Sequence, residues 1–152
     1  MKLRYWQTDC INLALDKYIG GEKHFLALAT PGAGKTFMAS VLADRMIKRD
    51  LADIVICFSP SSVVCVDFSQ TLESVIGEKF DGLLGSKGQS LTYQSLLHLD
   101  TDFWMLFKKY RIFVIFDEVH HCSGSKIENA NAWGEQIILN IQDSAEFTLA
   151  LT

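Results

Sequence analysis

Residues 29–36 read ATPGAGKT. A short run with glycines at 32 and 34 that ends in Lys-Thr is built to hold phosphate groups. Glycine lets consecutive backbone N–H groups turn inward around an anion. A helix starting near Lys35 points the positive end of its dipole at the same place. Lys35 can reach the outer phosphates of a nucleotide, and the Thr36 hydroxyl is a hard oxygen placed for Mg²⁺. The run departs from GxxxxGK[ST] at one position, where Ala29 stands in place of the first glycine. Thr30, Gly32, Ala33, Gly34, Lys35 and Thr36 form the candidate cradle, with Lys35 expected to face solvent until a triphosphate arrives. The competing reading is a chance Gly-rich turn; a strand before it and a helix after it speak against that.

Outward from the loop, apolar runs alternate with helical patterns. Gln7–Tyr18 keeps helical spacing through Ile11, Leu15 and Tyr18, and Gly20-Gly21 stops it. HFLALA, 24–29, reads as a buried strand leading into the loop. Lys35–Lys48 is helical, with Met38, Val41, Leu42, Arg45 and Met46 on one face. IVICF, 54–58, is a second strand. SPSS, 59–62, is a turn with a helix cap, followed by a helix to about Ile76 through Val64, Phe68, Leu72 and Val75. Residues 80–89 read as loop with a short strand, and 91–98 starts as a strand and turns helical. IFVIF, 112–116, is all apolar, as in a central parallel strand. Residues 124–131 are polar loop. Trp133, Ile137, Ile138 and Ile141 mark a last helix, and FTLAL, 147–151, a last strand. Strands alternating with helices predict an α/β fold of three layers: a mostly parallel sheet with helices on both faces. Sites in such folds lie at the carboxyl ends of the strands.

FDEVHH, 116–121, follows the apolar strand directly. Asp117 is placed to hold Mg²⁺, and Glu118 to orient and polarise the water that attacks a γ-phosphate. The alternative is an exposed acidic turn. His120, His121 and Cys122 raise a zinc site, but the sequence offers no second Cys or His cluster to complete four ligands.

At 152 residues the chain has the size of one domain, and 49% of it is hydrophobic, enough for a sizeable core. The net charge of −4 excludes a globally basic surface for nucleic acid, though not contacts made by hydroxyls and amides. The four cysteines form no CxxC pair, and MKLRYWQTDC lacks an apolar signal core. No apolar run reaches membrane-spanning length. A cytoplasmic protein with no membrane partner is expected.

Together these segments resemble the first RecA-like motor domain of superfamily-2 DExH-type helicases and translocases. ATPGAGKT resembles that family's motif I, DEVH at 117–120 its motif II, and ALT at 150–152 the start of motif III. LRYWQ at 3–7 resembles the adenine-recognising Q motif, SPSSVV at 59–64 motif Ia, and LTYQSL at 91–96 a TYQ-type motif Ic. DEVHHCSG, NAWGE and LALT look most like the restriction-subunit branch of bacterial and phage DNA helicases.

The resemblance implies an ATP- and Mg²⁺-dependent enzyme that moves along or unwinds nucleic acid, with double-stranded or branched DNA as partner. Gln7 would read the adenine edge. Tyr5 or Trp6 would stack on the nucleotide or pack in the core, and Arg4 would touch the nucleotide or sit exposed. Pro60, Ser61, Ser62, Thr92, Tyr93 and Gln94 would face a nucleic-acid backbone, or Ser61 and its neighbours would simply cap a helix. His120 would reach towards Thr152 and couple hydrolysis to strand movement. The family works with a second RecA-like domain carrying an arginine finger, which residues 1–152 do not include. The 152 residues alone are therefore expected to turn ATP over very slowly, since such a finger is worth about 10³–10⁵ in rate. Two other readings remain: a P-loop ATPase of the AAA type that remodels proteins, and an ATPase that senses nucleic acid without translocating.

Overall fold

The computed structural model describes residues 2–28, 34–83, 85–118 and 128–152, with the backbone alone for 128–133. Helix α1 (Tyr5–Ile19) begins where the Gln7 side chain accepts a hydrogen bond from the Arg4 N–H at 2.7 Å. Such a bond satisfies a donor that a helix start otherwise leaves open. The chain turns at Gly20-Gly21 into strand β1 (His24–Ala27), which ends before the position 29 expected from sequence. Helix α2 (Lys35–Lys48) and strand β2 (Ile54–Ser59) follow. Helix α3 (Ser62–Ile76) is capped by the Ser61 hydroxyl, which accepts from the Val64 N–H at 3.3 Å, and it closes on Gly77.

Strand β3 (Gly88–Thr92) runs into a 3₁₀ helix (Tyr93–His98). Helix α4 (Thr101–Lys109) has no counterpart in the sequence reading. Its signals are nonetheless present: Asp100 caps the Phe103 N–H at 2.9 Å, and Lys108 and Lys109 lie in the negative last turn. Strand β4 (Ile112–Phe116), helix α5 (Glu128–Ser144) and strand β5 (Phe147–Leu151) complete the order. Residues 128–131, expected as loop, belong to α5. Residues 124–127, like Ala29, lie outside the described residues.

The five strands form one parallel sheet in the order β1-β5-β4-β2-β3. Side chains alternate along each strand, so β4 divides its own residues between two cores. Phe113 and Ile115 face the layer of α1, α2 and α3, with Ile11, Leu15, Met38, Leu42, Met46, Phe68 and Leu72. Ile112, Val114 and Phe116 face the other layer, with Leu96, Phe103, Ile138 and Ile141. All five residues of β4 are fully buried, which is why the stretch reads as one continuous apolar run. On α2 the buried stripe is Met38, Ala39, Leu42, Ala43 and Met46; Val41 and Arg45 flank it at the partly exposed margin.

The strand order matters for the site. β5 lies between β1 and β4, so the ends of β1 and β4 stand roughly 10 Å apart, two strand spacings. Residues that follow β1 and β4 meet above the end of β5, where Lys35 reaches Asp117 and Glu118.

Candidate nucleotide-binding site

Gly34 is the last residue before α2, with φ at +83°. The positive φ favours glycine, and a β-carbon there would sit 2.6 Å from Gln7 Nε2 and push that amide aside. The Gln7 amide explains the approach. Its nitrogen donates to the Gly34 carbonyl at 2.9 Å while its oxygen accepts from Arg4. Gln7 is 3% exposed. It therefore ties the start of α1 to the end of the phosphate loop, and what it offers an adenine is the remaining amide proton and lone pair. Tyr5 is exposed, whereas Trp6 packs against the core.

Lys35 opens α2 and reaches across the sheet. Its ammonium lies 3.1 Å from Glu118 Oε1 and 3.4 Å from Asp117 Oδ1. The side chain is only 14% exposed, which corrects the expectation that it faces solvent. The physical reason is charge: the two carboxylates at the end of β4 hold the ammonium. Thr36 follows on the first turn of α2, and its carbonyl accepts from the Ser40 hydroxyl at 2.8 Å.

Asp117 is buried, and its N–H donates to the Phe58 carbonyl at 2.8 Å, extending the sheet by one residue. Burial pushes its carboxyl above the ordinary aspartate range, and the nearby Lys35 charge pulls it back in part. Its Oδ1 is buried without a hydrogen bond of ordinary geometry, the ion pair to Lys35 being its polar neighbour. A buried carboxylate oxygen in that condition fits a Mg²⁺ ligand. Among the described residues no group of three or more His, Cys, Asp and Glu gathers as a metal cage. A Mg²⁺ held by one carboxylate and one hydroxyl, completed by phosphates and water, suits that sparse set. Glu118 has φ at +49°, a left-handed conformation uncommon for a residue with a β-carbon.

Thr152 stands at the end of the strand between these groups. Its N–H donates to the Ala27 carbonyl at 3.2 Å, placing it beside the exit to the phosphate loop. Pro60–Ser62 and Thr92–Gln94 also come together, because Ser59 pairs with Thr92 across β2 and β3. Ser61, Ser62 and Gln94 are exposed there. Tyr93 is turned inward instead: its hydroxyl donates to the Asp117 carbonyl at 2.9 Å. Thr30, Gly32, Ala33 and His120, with His121 and Cys122, lie outside the described residues. Among the described residues no helix is long and apolar enough to cross a membrane.

A parallel sheet with a lysine-threonine helix start at one strand end and a paired acidic turn two strands away has the form of a RecA-like α/β domain. The whole chain, residues 1–152, matches the family described as type III restriction enzyme, res subunit, and belongs to it. An uncharacterized protein of Mycobacterium leprae is 29% identical over 159 residues, covering 99% of this chain and 25% of its own length. An uncharacterized protein of Mycobacterium tuberculosis is 28% identical over 160 residues, again 99% and 25%. The chain thus spans about a quarter of the length of these curated relatives. Among solved structures, a nuclease-deletion mutant of the Type ISP restriction-modification enzyme LlaGI, in complex with a DNA substrate mimic, superposes with a TM-score of 0.63. It is 14% identical, covers all of this chain and corresponds to 17% of that one, a likeness of fold.

Proposed function

We propose that residues 1–152 are the ATP-binding motor domain of a larger helicase or translocase, which couples ATP hydrolysis to movement along DNA. The observation that carries this reading is the meeting of Lys35 with Asp117 and Glu118, at 3.4 and 3.1 Å, across an intervening strand. In the proposal Gly34, Lys35 and Thr36, with Thr30, Gly32 and Ala33, hold the phosphates, and Gln7 meets the adenine. Thr36 and Asp117 hold Mg²⁺, which supplies charge neutralisation at the phosphates when bound. Glu118 accepts a hydrogen bond from the attacking water and orients it in line with the γ-phosphate. Lys35 exchanges its carboxylate partners for phosphate oxygens, which releases Glu118 for that task.

Nucleic acid lies over the exposed Ser61, Ser62 and Gln94, where hydroxyls and an amide contact a phosphate backbone without net positive charge. His120 and Thr152 link the hydrolytic turn to that surface, and a second RecA-like domain elsewhere in the longer protein completes the site. The test is the full-length protein's ATPase with and without duplex DNA, together with displacement of a triplex-forming strand. The proposal expects DNA to accelerate hydrolysis and hydrolysis to displace the strand. Acceleration without displacement would leave a nucleic-acid sensor, and no acceleration by any nucleic acid would reject the motor.

A further inference from the structure

The Tyr93 hydroxyl bonds the carbonyl of Asp117, and that carbonyl belongs to the peptide joining Asp117 to Glu118. Holding this oxygen restricts rotation of the peptide plane, and so restricts ψ of Asp117 and φ of Glu118 together. The φ of Glu118 is +49°, a conformation that persists only where surrounding structure holds it. The same turn is held from the other side by the Phe58 carbonyl, which accepts from the Asp117 N–H at 2.8 Å.

The Tyr93 ring is itself fixed. It stacks on Phe58 with centroids 6.1 Å apart and planes at 20°, and Phe58 stacks on Phe116 at 5.8 Å and 14°. Stacking and the bond to Asp117 together favour this one orientation of the ring. Tyr93 is the first residue after β3, between Thr92 and the exposed Gln94, and one strand away from Ser61 and Ser62.

We propose that Tyr93 is a positioning residue that transmits the state of the Ser61–Gln94 surface to Glu118 through the Asp117–Glu118 peptide. The proposal rests on the function given above and deepens it, because it names the side chain that joins the nucleic-acid surface to the hydrolytic carboxylate. A ligand that shifts the end of β3 shifts the hydroxyl, and with it the peptide that aims Glu118.

The test is Tyr93→Phe in the full-length protein, which keeps the stacked ring and removes only the hydroxyl. Steady-state ATPase is measured across a DNA titration. The maximal DNA-stimulated rate should fall roughly fivefold, the worth of one ordinary hydrogen bond. The basal rate should fall less, and the DNA concentration giving half-stimulation should not move. Equal loss of basal and stimulated rates would mean a packing role only and would overturn the proposal. A raised half-stimulating concentration at unchanged maximal rate would make Tyr93 a nucleic-acid contact and would also overturn it. A wild-type protein that DNA does not stimulate would reject the motor reading itself, a failure visible without the variant.

Discussion

Replacing Lys35 by alanine should destabilise the domain as well as weaken nucleotide binding. The Lys35 side chain is 14% exposed and its ammonium lies 3.4 Å from Asp117, a residue that is 1% exposed. Removing one partner of a fully buried ion pair costs about 3–5 kcal/mol, because the remaining charge is left without compensation. Lys35 sits at the rim rather than in the interior, and Asp117 can escape the penalty by taking up a proton. A loss of about 2–3 kcal/mol near pH 8 is therefore expected, or about 5–10 °C in Tm for a domain of this size.

The pH dependence has a definite sign. Burial raises the Asp117 carboxyl above its ordinary value and Lys35 lowers it. Without Lys35 it rises further. The penalty of the variant is then present in full above the folded-state pKa values and shrinks as pH falls through them, because a protonated Asp117 needs no cation. Thermal unfolding followed by circular dichroism at pH 8 and pH 5 measures both effects. An unchanged Tm at pH 8, or a deficit as large at pH 5 as at pH 8, would refute the reasoning. A protein that binds ATP as tightly as before would refute the role of Lys35 at the phosphates.

Gly34→Ala should lower stability by about 2–3 kcal/mol. About 1–2 kcal/mol comes from the left-handed backbone and about 1 from the hydrogen bond that Gln7 loses as its amide moves away. A melting curve that superposes on the wild type would contradict this. Glu118→Gln keeps the shape of the side chain but removes the base, so hydrolysis should fall about a hundredfold or more while ATP binding persists. Calorimetry showing lost ATP affinity in a folded variant would argue against the water-orienting role.

The core of the fold was legible from residue pattern. IFVIF is β4 to the residue, Lys35–Lys48 is α2 and Phe147–Leu151 is β5, because each carries a largely apolar run or a clear helical period. Helix α4 carried the same kind of signal, which the sequence reading missed: Phe103, Leu106 and Phe107 fall at helical spacing and pack on one core, and Asp100 caps the first turn. The sequence also placed Lys35 and the Asp117–Glu118 pair at strand ends. It could not show that they touch, because β5 comes last in the chain yet lies between them. For the same reason Tyr93 read as a surface residue. Its bond to Asp117 depends on β2 lying between β3 and β4, an order that no local pattern records.

The central claim is that the phosphate loop and the acidic turn serve one Mg²⁺-nucleotide. The most direct measurement is a crystal structure of the protein with Mg²⁺ and a non-hydrolysable ATP analogue. The account predicts one metal bounded by Thr36 and Asp117, the terminal phosphate against Lys35, and the adenine beside Gln7. A nucleotide bound elsewhere, with Lys35 still clamped between Asp117 and Glu118, would contradict it.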